Sequence, residues 1–195
     1  MLIFCKTSEQ DEIMTNASQL VSAERRKKAF RLPTRRARAN SLAAELLARY
    51  VLNKYGCEPD DLYFDKSGRP RVKDDEAFIS LSHSGEYVAC AVEERIVGVD
   101  IQKIKPVGRF VIARVCTLSE QEQIKSSDDA MRVFTRFWTL KEAWRKANPN
   151  ANTKDMFKVE FSIDDKACVN GPEGFDYMIS EEIDGYVIAV CVAKK

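Results

Sequence analysis

Arg136-Phe137-Trp138-Thr139-Leu140-Lys141-Glu142-Ala143-Trp144-Arg145-Lys146 is the stretch whose reading decides the fold. Phe137, Leu140, Trp144 and Ala147 recur at three- and four-residue spacing, which predicts a helix with an apolar stripe. Phe134, Trp138, Glu142 and Lys146 step four at a time along a neighbouring stripe, and Asn148-Pro149 ends the helix. If one stripe faces a core, the other carries a carboxylate and an ammonium one turn apart beside an indole. As a solvated pair these would contribute about 0.3–0.5 kcal/mol to an amphipathic helix. As the wall of a site they suit an anion or a metal ion.

A second stretch bears on that choice. In Ile96-Val97-Gly98-Val99-Asp100-Ile101-Gln102 an apolar strand carries an acid. A carboxylate among Val and Ile is costly to bury unless something pairs with it, and a divalent cation shared with Glu142 is one such partner.

Upstream, Phe78-Ile79-Ser80-Leu81-Ser82 alternates as a half-buried strand does and runs into His83-Ser84-Gly85, which holds the only histidine. A lone histidine is commonly structural; among hydroxyls at a strand end it also suits a phosphate. Asp65-Lys66-Ser67-Gly68-Arg69-Pro70 reads as a turn, either a plain surface connection or a loop that touches ligand. Between Glu24 and Arg38 lie Arg25, Arg26, Lys27, Lys28, Arg31, Arg35, Arg36 and Arg38, so the net charge of +1 conceals a cationic segment. A solvated face, nucleic-acid binding, an anionic cofactor or an acidic partner are the readings, and with only Phe30 interleaved the segment offers little for base stacking.

The remaining elements follow from punctuation. Leu2 to Cys5 reads as a first strand and Ser22 as an N-cap. From Thr34 a long helix should run to Gly56, with Leu42, Leu46, Tyr50 and Val51 on one face. Tyr87 to Val92 and Ile96 to Ile101 are strands, and Arg109 to Val115 is helical. Ser119 with Glu122 forms a capping-box pattern, which leaves Glu120 as a first-turn acid. Phe157 to Ile163, Ala167 to Val169, Phe175 to Ser180 and Tyr186 to Val192 read as four antiparallel strands. Tyr87-Val88-Ala89-Cys90-Ala91-Val92 is echoed in Tyr186-Val187-Ile188-Ala189-Val190-Cys191-Val192, as two similar halves would leave behind.

With 195 residues, 45% of them hydrophobic, the chain can bury a core in one domain or two small halves. Its six cysteines are scattered without a Cys-x-x-Cys pair, so zinc is not expected and reduced thiols point to the cytoplasm. The start, Met1-Leu2-Ile3-Phe4-Cys5-Lys6, is too short for a signal peptide's apolar core, and no run reaches membrane-spanning length.

Val-Gly-Val-Asp-Ile followed by Phe-Trp-Thr-Leu-Lys-Glu-Ala-Trp-Arg-Lys resembles the double signature of the 4'-phosphopantetheinyl transferases, of the larger, Sfp-like type. The resemblance continues through Ser80-Leu81-Ser82-His83-Ser84-Gly85 and Gly68-Arg69-Pro70. It implies an α+β fold of two pseudo-symmetric halves, 1–95 and 96–195, each a small mainly antiparallel sheet packed with a long helix, with the cofactor in a cleft between them. It implies a Mg²⁺-dependent enzyme, with Mn²⁺ as the alternative metal, that moves the phosphopantetheine arm of coenzyme A to a serine of an acyl or peptidyl carrier protein. Under it Asp100 and Glu142 hold the metal, with Gln102 binding weakly or through water, and Glu142, Lys146 and Asp100 are the catalytic set. Lys141 and Lys146 contact the pyrophosphate, Ser82 and His83 the 3'-phosphate, Arg69 and Pro70 the adenine end, and Arg25 and Lys28 are basic cofactor contacts. Glu120 stands where the family has a functional acid. The implied partners are coenzyme A and a carrier protein, with no nucleic acid, no membrane and a monomeric state. Three departures mark this chain: Gln102 replaces a second acid, Arg69 replaces a lysine, and Ala147 to Asn152 replaces a glycine-rich run. They give the competing reading of a protein that binds coenzyme A or a carrier without transferring anything.

Overall fold

A computed structural model describes residues 1–164 and 169–195. The chain forms two compact units, Met1–Glu94 and Arg95–Lys195. The first unit runs β1 (Leu2–Lys6), α1 (Asp11–Leu20), α2 (Ala23–Phe30), α3 (Arg35–Tyr55), β2 (Leu62–Phe64), β3 (Pro70–Val72), β4 (Phe78–Ser84) and β5 (Tyr87–Glu93). The second runs β6 (Val97–Lys103), α4 (Arg109–Val115), α5 (Leu118–Ser126), α6 (Ala130–Ala147), α7 (Thr153–Met156), β7 (Ser162–Ile163), β8 (Val169–Asn170), β9 (Phe175–Ser180) and β10 (Tyr186–Ala193). The class is α+β with small antiparallel sheets, as the resemblance implies.

In the first unit the sheet order is β1-β5-β4, antiparallel throughout, and α3 packs on all three strands. Thr34 caps α3 by accepting from the Ala37 N–H, and Gly56 ends it at φ +99°, a left-handed conformation that glycine adopts without strain. The stripe of α3 that meets the sheet is Ala44, Leu47, Ala48, Val51 and Leu52. This corrects the expected face, because Tyr50 is 52% exposed and Leu42 packs on Val21 and Ala29 instead. The long helix therefore buries two stripes, one against the sheet and one beneath α2, and a single-face reading sees only part of each. Helix α1 and the β2–β3 hairpin were not expected; the polar sequence of α1 buries only Ser18 and gives no strong periodic signal.

In the second unit the sheet order is β6-β10-β9, and α6 covers it with Phe137, Leu140, Ala143, Trp144 and Ala147 in one cluster with Ala189 and Cys191. Two expectations are corrected here. The capping box at the start of α5 uses Thr117 and Glu120, not Ser119 and Glu122, and so turns Glu120 inward. The predicted strand from Phe157 shrinks to Ser162–Ile163. Its backbone groups are claimed by side chains: the Phe161 N–H donates to Glu120 (2.9 Å) and the Val159 carbonyl accepts from Lys141. Groups so occupied cannot join a strand ladder. Ala167 and Cys168, part of another predicted strand, lie outside the described residues. Among the described residues no helix is long and apolar enough to cross a membrane.

Candidate functional site

In the second unit the site begins with a glycine. On β6, Gly98, Asp100 and Gln102 alternate with Val97, Val99 and Ile101. A Cβ at Gly98 would stand 2.0 Å from the Ala143 carbonyl oxygen and 2.6 Å from the Ala147 nitrogen, so α6 lies directly on this face of the strand. Glycine is what permits the approach. Two residues further on, Asp100 faces the same helix.

Asp100 is buried, and its carboxylate is paired. Oδ1 accepts from the Lys146 ammonium at 2.8 Å and Oδ2 from the Gln102 amide at 2.8 Å. Lys146 also donates to the Val99 carbonyl at 2.8 Å, which fixes it at the strand. Glu142 lies one helical turn before Lys146 on the same stripe of α6, and the Arg145 guanidinium holds its carboxylate at 2.7 Å. β6 thus carries Asp100 and Gln102, and the adjacent α6 brings Lys146 to Asp100 and carries Glu142 one turn before it.

Lys141 is placed differently. It is fully buried, ion-paired with the equally buried Glu120 at 3.0 Å and bonded to the Val159 carbonyl. Glu120 is completed by the N–H groups of Thr117 (2.8 Å) and Phe161. Lys141, expected at a pyrophosphate, is in this structure an internal counter-ion that ties α5, α6 and the segment before β7 together. Its enclosure follows from position: Lys141 follows Leu140 toward the core, whereas Glu142 and Lys146 lie on the stripe beside it.

The first unit holds a pocket of about 350 Å³ whose wall includes Ser22, Arg25, Lys28, Phe64, Asp65 and Gly68. Ser22 caps α2 and brings Arg25 and Lys28 to the pocket on successive turns. Gly68, at φ +82°, lets the 65–69 turn pass close beneath the Lys28 ammonium, where a Cβ would come within 3.3 Å. The turn is closed by Asp65, which accepts from the Ser67 N–H, the Ser67 hydroxyl and the Arg69 N–H. The Ser67 hydroxyl, aided by the Arg69 and Ser67 amides, holds the Asp65 carboxyl down at about 2. Arg69 is thereby fixed at the turn, and Pro70 follows as the first residue of β3, opposite Phe64.

Ser82 and His83 lie at the end of β4, opposite Ala89 and Val88. Ser82 is buried and His83 exposed, as strand alternation requires, so the two hydroxyl and imidazole groups expected on one phosphate start from opposite faces.

A sequence model described as the 4'-phosphopantetheinyl transferase superfamily matches residues 96–191. Over 184 residues the chain is 28% identical to 4'-phosphopantetheinyl transferase Sfp of Bacillus subtilis (strain 168), covering 89% of this chain and 82% of that one. Over 197 residues it is 29% identical to 4'-phosphopantetheinyl transferase ffp of Bacillus subtilis, covering 95% and 86%. The chain belongs to the 4'-phosphopantetheinyl transferase superfamily. It is of the Sfp-like type, because its similarity to these transferases extends through both units.

Within this transferase the residues of hard-ligand chemistry on β6 and α6 are Asp100, Glu142 and Gln102, and the two carboxylates are paired with Lys146 and Arg145. Two carboxylates and an amide oxygen are hard ligands, and the buried Asp100 already draws an ammonium to itself. Among the described residues no group of three or more His, Cys, Asp or Glu is gathered for a metal, so a cation held here would keep water ligands. Sequence reasoning missed Glu45, Phe64 and Gly98. Only Gly98 carried a signal, as a glycine inside an apolar strand.

Proposed function

We propose that this transferase moves the 4'-phosphopantetheine arm of coenzyme A onto a serine hydroxyl of an acyl or peptidyl carrier protein and releases adenosine 3',5'-bisphosphate. The observation that carries this reading is the Asp100–Lys146 pair, one turn from Glu142, in a chain similar to phosphopantetheinyl transferases through both units. The serine oxygen forms a bond to the phosphorus that bears the pantetheine arm, and the bond from that phosphorus to the bridging oxygen of the pyrophosphate breaks. The serine proton passes to the Glu142 carboxylate, which lies on the accessible stripe of α6. Lys146 is held in place by the Val99 carbonyl and Asp100 and neutralises the charge that grows on the departing phosphate. Asp100, Glu142 and Gln102 are the residues that would hold Mg²⁺ or Mn²⁺; bound there, the cation offsets the charge of the pyrophosphate oxygens. Arg25, Lys28, Arg69 and Pro70 receive the nucleotide end in the first unit, with His83, the exposed member of the Ser82–His83 pair, as the side-chain contact for its 3'-phosphate.

Incubation of an apo carrier protein with this chain, Mg²⁺ and coenzyme A tests the reading by mass spectrometry. The expected result is a mass gain equal to one phosphopantetheinyl group; no gain with acyl and peptidyl carriers alike would support the non-transferring binder. Glu142→Gln is expected to lower the transfer rate by at least about 10²-fold with the fold intact. In His83→Ala the KM for coenzyme A should rise while turnover at saturation holds, and a fall in turnover at unchanged KM would overturn that assignment.

A further inference from the structure

Arg25 is a cation that the fold holds from two sides. Its residue is only 9% exposed. Its Nε donates to the Glu45 carboxylate at 3.3 Å, and its guanidinium carbon lies 3.9 Å from the centroid of the Phe64 ring. Glu45 itself is 1% exposed, and four donors complete it: the Ser22 N–H (2.7 Å), the Ser22 hydroxyl (3.1 Å), Arg25 Nε and Arg49 Nε (3.2 Å). That one carboxylate joins the start of α2 to the middle of α3. Arg49 extends the tether to the Pro59 carbonyl and Asp60.

A guanidinium has five N–H donors in a planar fork. In Arg25 the Nε edge is taken and one face is stacked, while Nη1 and Nη2 have no protein partner among the described residues. Arg25 lines the 350 Å³ pocket, with Lys28 one turn further along α2. The wall also carries two acids, Glu24 beside Arg25 on α2 and Asp65, and Asp65 is occupied by its own turn. A planar cation with one edge anchored and the other open is suited to bidentate contact with a phosphate, and fixing it beforehand removes the rotamer entropy that a free arginine would lose on binding.

We propose that Glu45 and Phe64 are positioning residues: they fix Arg25 as a preorganised oxyanion clamp that sets coenzyme A affinity without taking part in transfer. This rests on the reading of the pocket as the cofactor's nucleotide end. Phe64 is the more telling position, because Phe64→Leu keeps the apolar contact with the core of the first unit and removes only the π face.

The test measures the affinity for coenzyme A by isothermal titration calorimetry and KM and kcat by carrier modification, in four proteins: wild type, Phe64→Leu, Arg25→Ala and the double variant. Phe64→Leu should raise Kd and KM about 3- to 10-fold at unchanged kcat. In the Arg25→Ala background the same change should add less than about 2-fold, since the clamp is already gone. Glu45→Gln, which keeps size and acceptor oxygen but loses the charge, should likewise raise Kd, and Arg25→Lys should respond weakly to Phe64→Leu because an ammonium has no stacked plane. Equal effects of Phe64→Leu with and without Arg25, or an unchanged Kd in Phe64→Leu, would overturn the proposal. Wild-type protein that binds coenzyme A but modifies no carrier would overturn the transferase reading and leave the clamp to be judged on Kd alone.

Discussion

The two units repeat one order of elements, and the comparison between them isolates what is chemical in the second. Each has a first strand, two shorter helices, a long helix, a small two-stranded sheet and a closing hairpin, with the last strand central: β1-β5-β4 in one and β6-β10-β9 in the other. The registers agree residue by residue. Tyr87 pairs with Lys6 and Tyr186 with Lys103; three residues on, Cys90 pairs with Ile3 and Ala189 with Asp100. The place held by Asp100 in the second unit is held by Ile3 in the first, where it packs against the core beneath α3. The same fold position is apolar in one copy and acidic in the other. What makes the carboxylate tolerable is local: Lys146 from α6 and Gln102 from β6 supply the partners that a buried charge needs. The scaffold alone does not require an acid there, so a functional use explains it better than packing does.

Making the second unit like the first is the sharpest way to break this comparison. Asp100→Ile copies Ile3 and strands the Lys146 ammonium. Transfer should fall by at least about 10³-fold, with a smaller loss of stability, about 1–3 kcal/mol, because Lys146 is partly exposed and can turn to solvent. Carrier modification and urea unfolding check the two effects separately; activity within tenfold of wild type would remove Asp100 from the catalytic set.

A second difference is Gly98. It pairs with Cys191, and the matching position of β1 is Met1, whose carbonyl accepts from the Val92 N–H. In the second unit that position is a glycine beneath the long helix, and in the first it is not. Gly98→Ala forces a methyl into the backbone of α6 and should cost about 3 kcal/mol, read as a lower urea midpoint with an unchanged slope. Tolerance of alanine would mean that α6 can lift from β6 without consequence for Asp100 and Lys146.

The smallest effect concerns a feature the two units share. Cys90 and Cys191 sit in the central strands of their sheets, and burial raises both thiols well above the ordinary range. Burial likewise pushes Cys116 up to about 12. A raised pKa keeps the thiol protonated below that value, so none of the three should carry a thiolate at pH 8. Iodoacetamide at pH 8 should leave them unmodified in the native protein and alkylate them in urea, as peptide mass mapping would register.

Long, strongly periodic or clearly punctuated elements were legible: α3 between Thr34 and Gly56, α6 up to Asn148, and the strands of the two sheets. The echo between Tyr87 to Val92 and Tyr186 to Val192 was a true trace of the repeated topology. What misled was competition for backbone groups. Phe157 to Phe161 has strand composition, yet Glu120 takes the Phe161 amide and Lys141 the Val159 carbonyl. Two overlapping capping boxes at the start of α5 cannot be ranked from sequence, and the choice of Thr117 over Ser119 is what turned Glu120 inward.

By itself, the sequence determined where the acids and cations fall along the chain, because hydrophobic period and capping chemistry are local properties carried by a few adjacent residues. Only the tertiary structure decided which of those charges are paired. Lys141 and Lys146 lie five positions apart on one helix; the first is enclosed with Glu120 and the second meets Asp100 at a strand. Arg25 and Lys28 share one short helix, yet only Arg25 is held by Glu45 and Phe64. Burial and pairing depend on what another segment brings to the same point in space, and no periodicity within one segment encodes that.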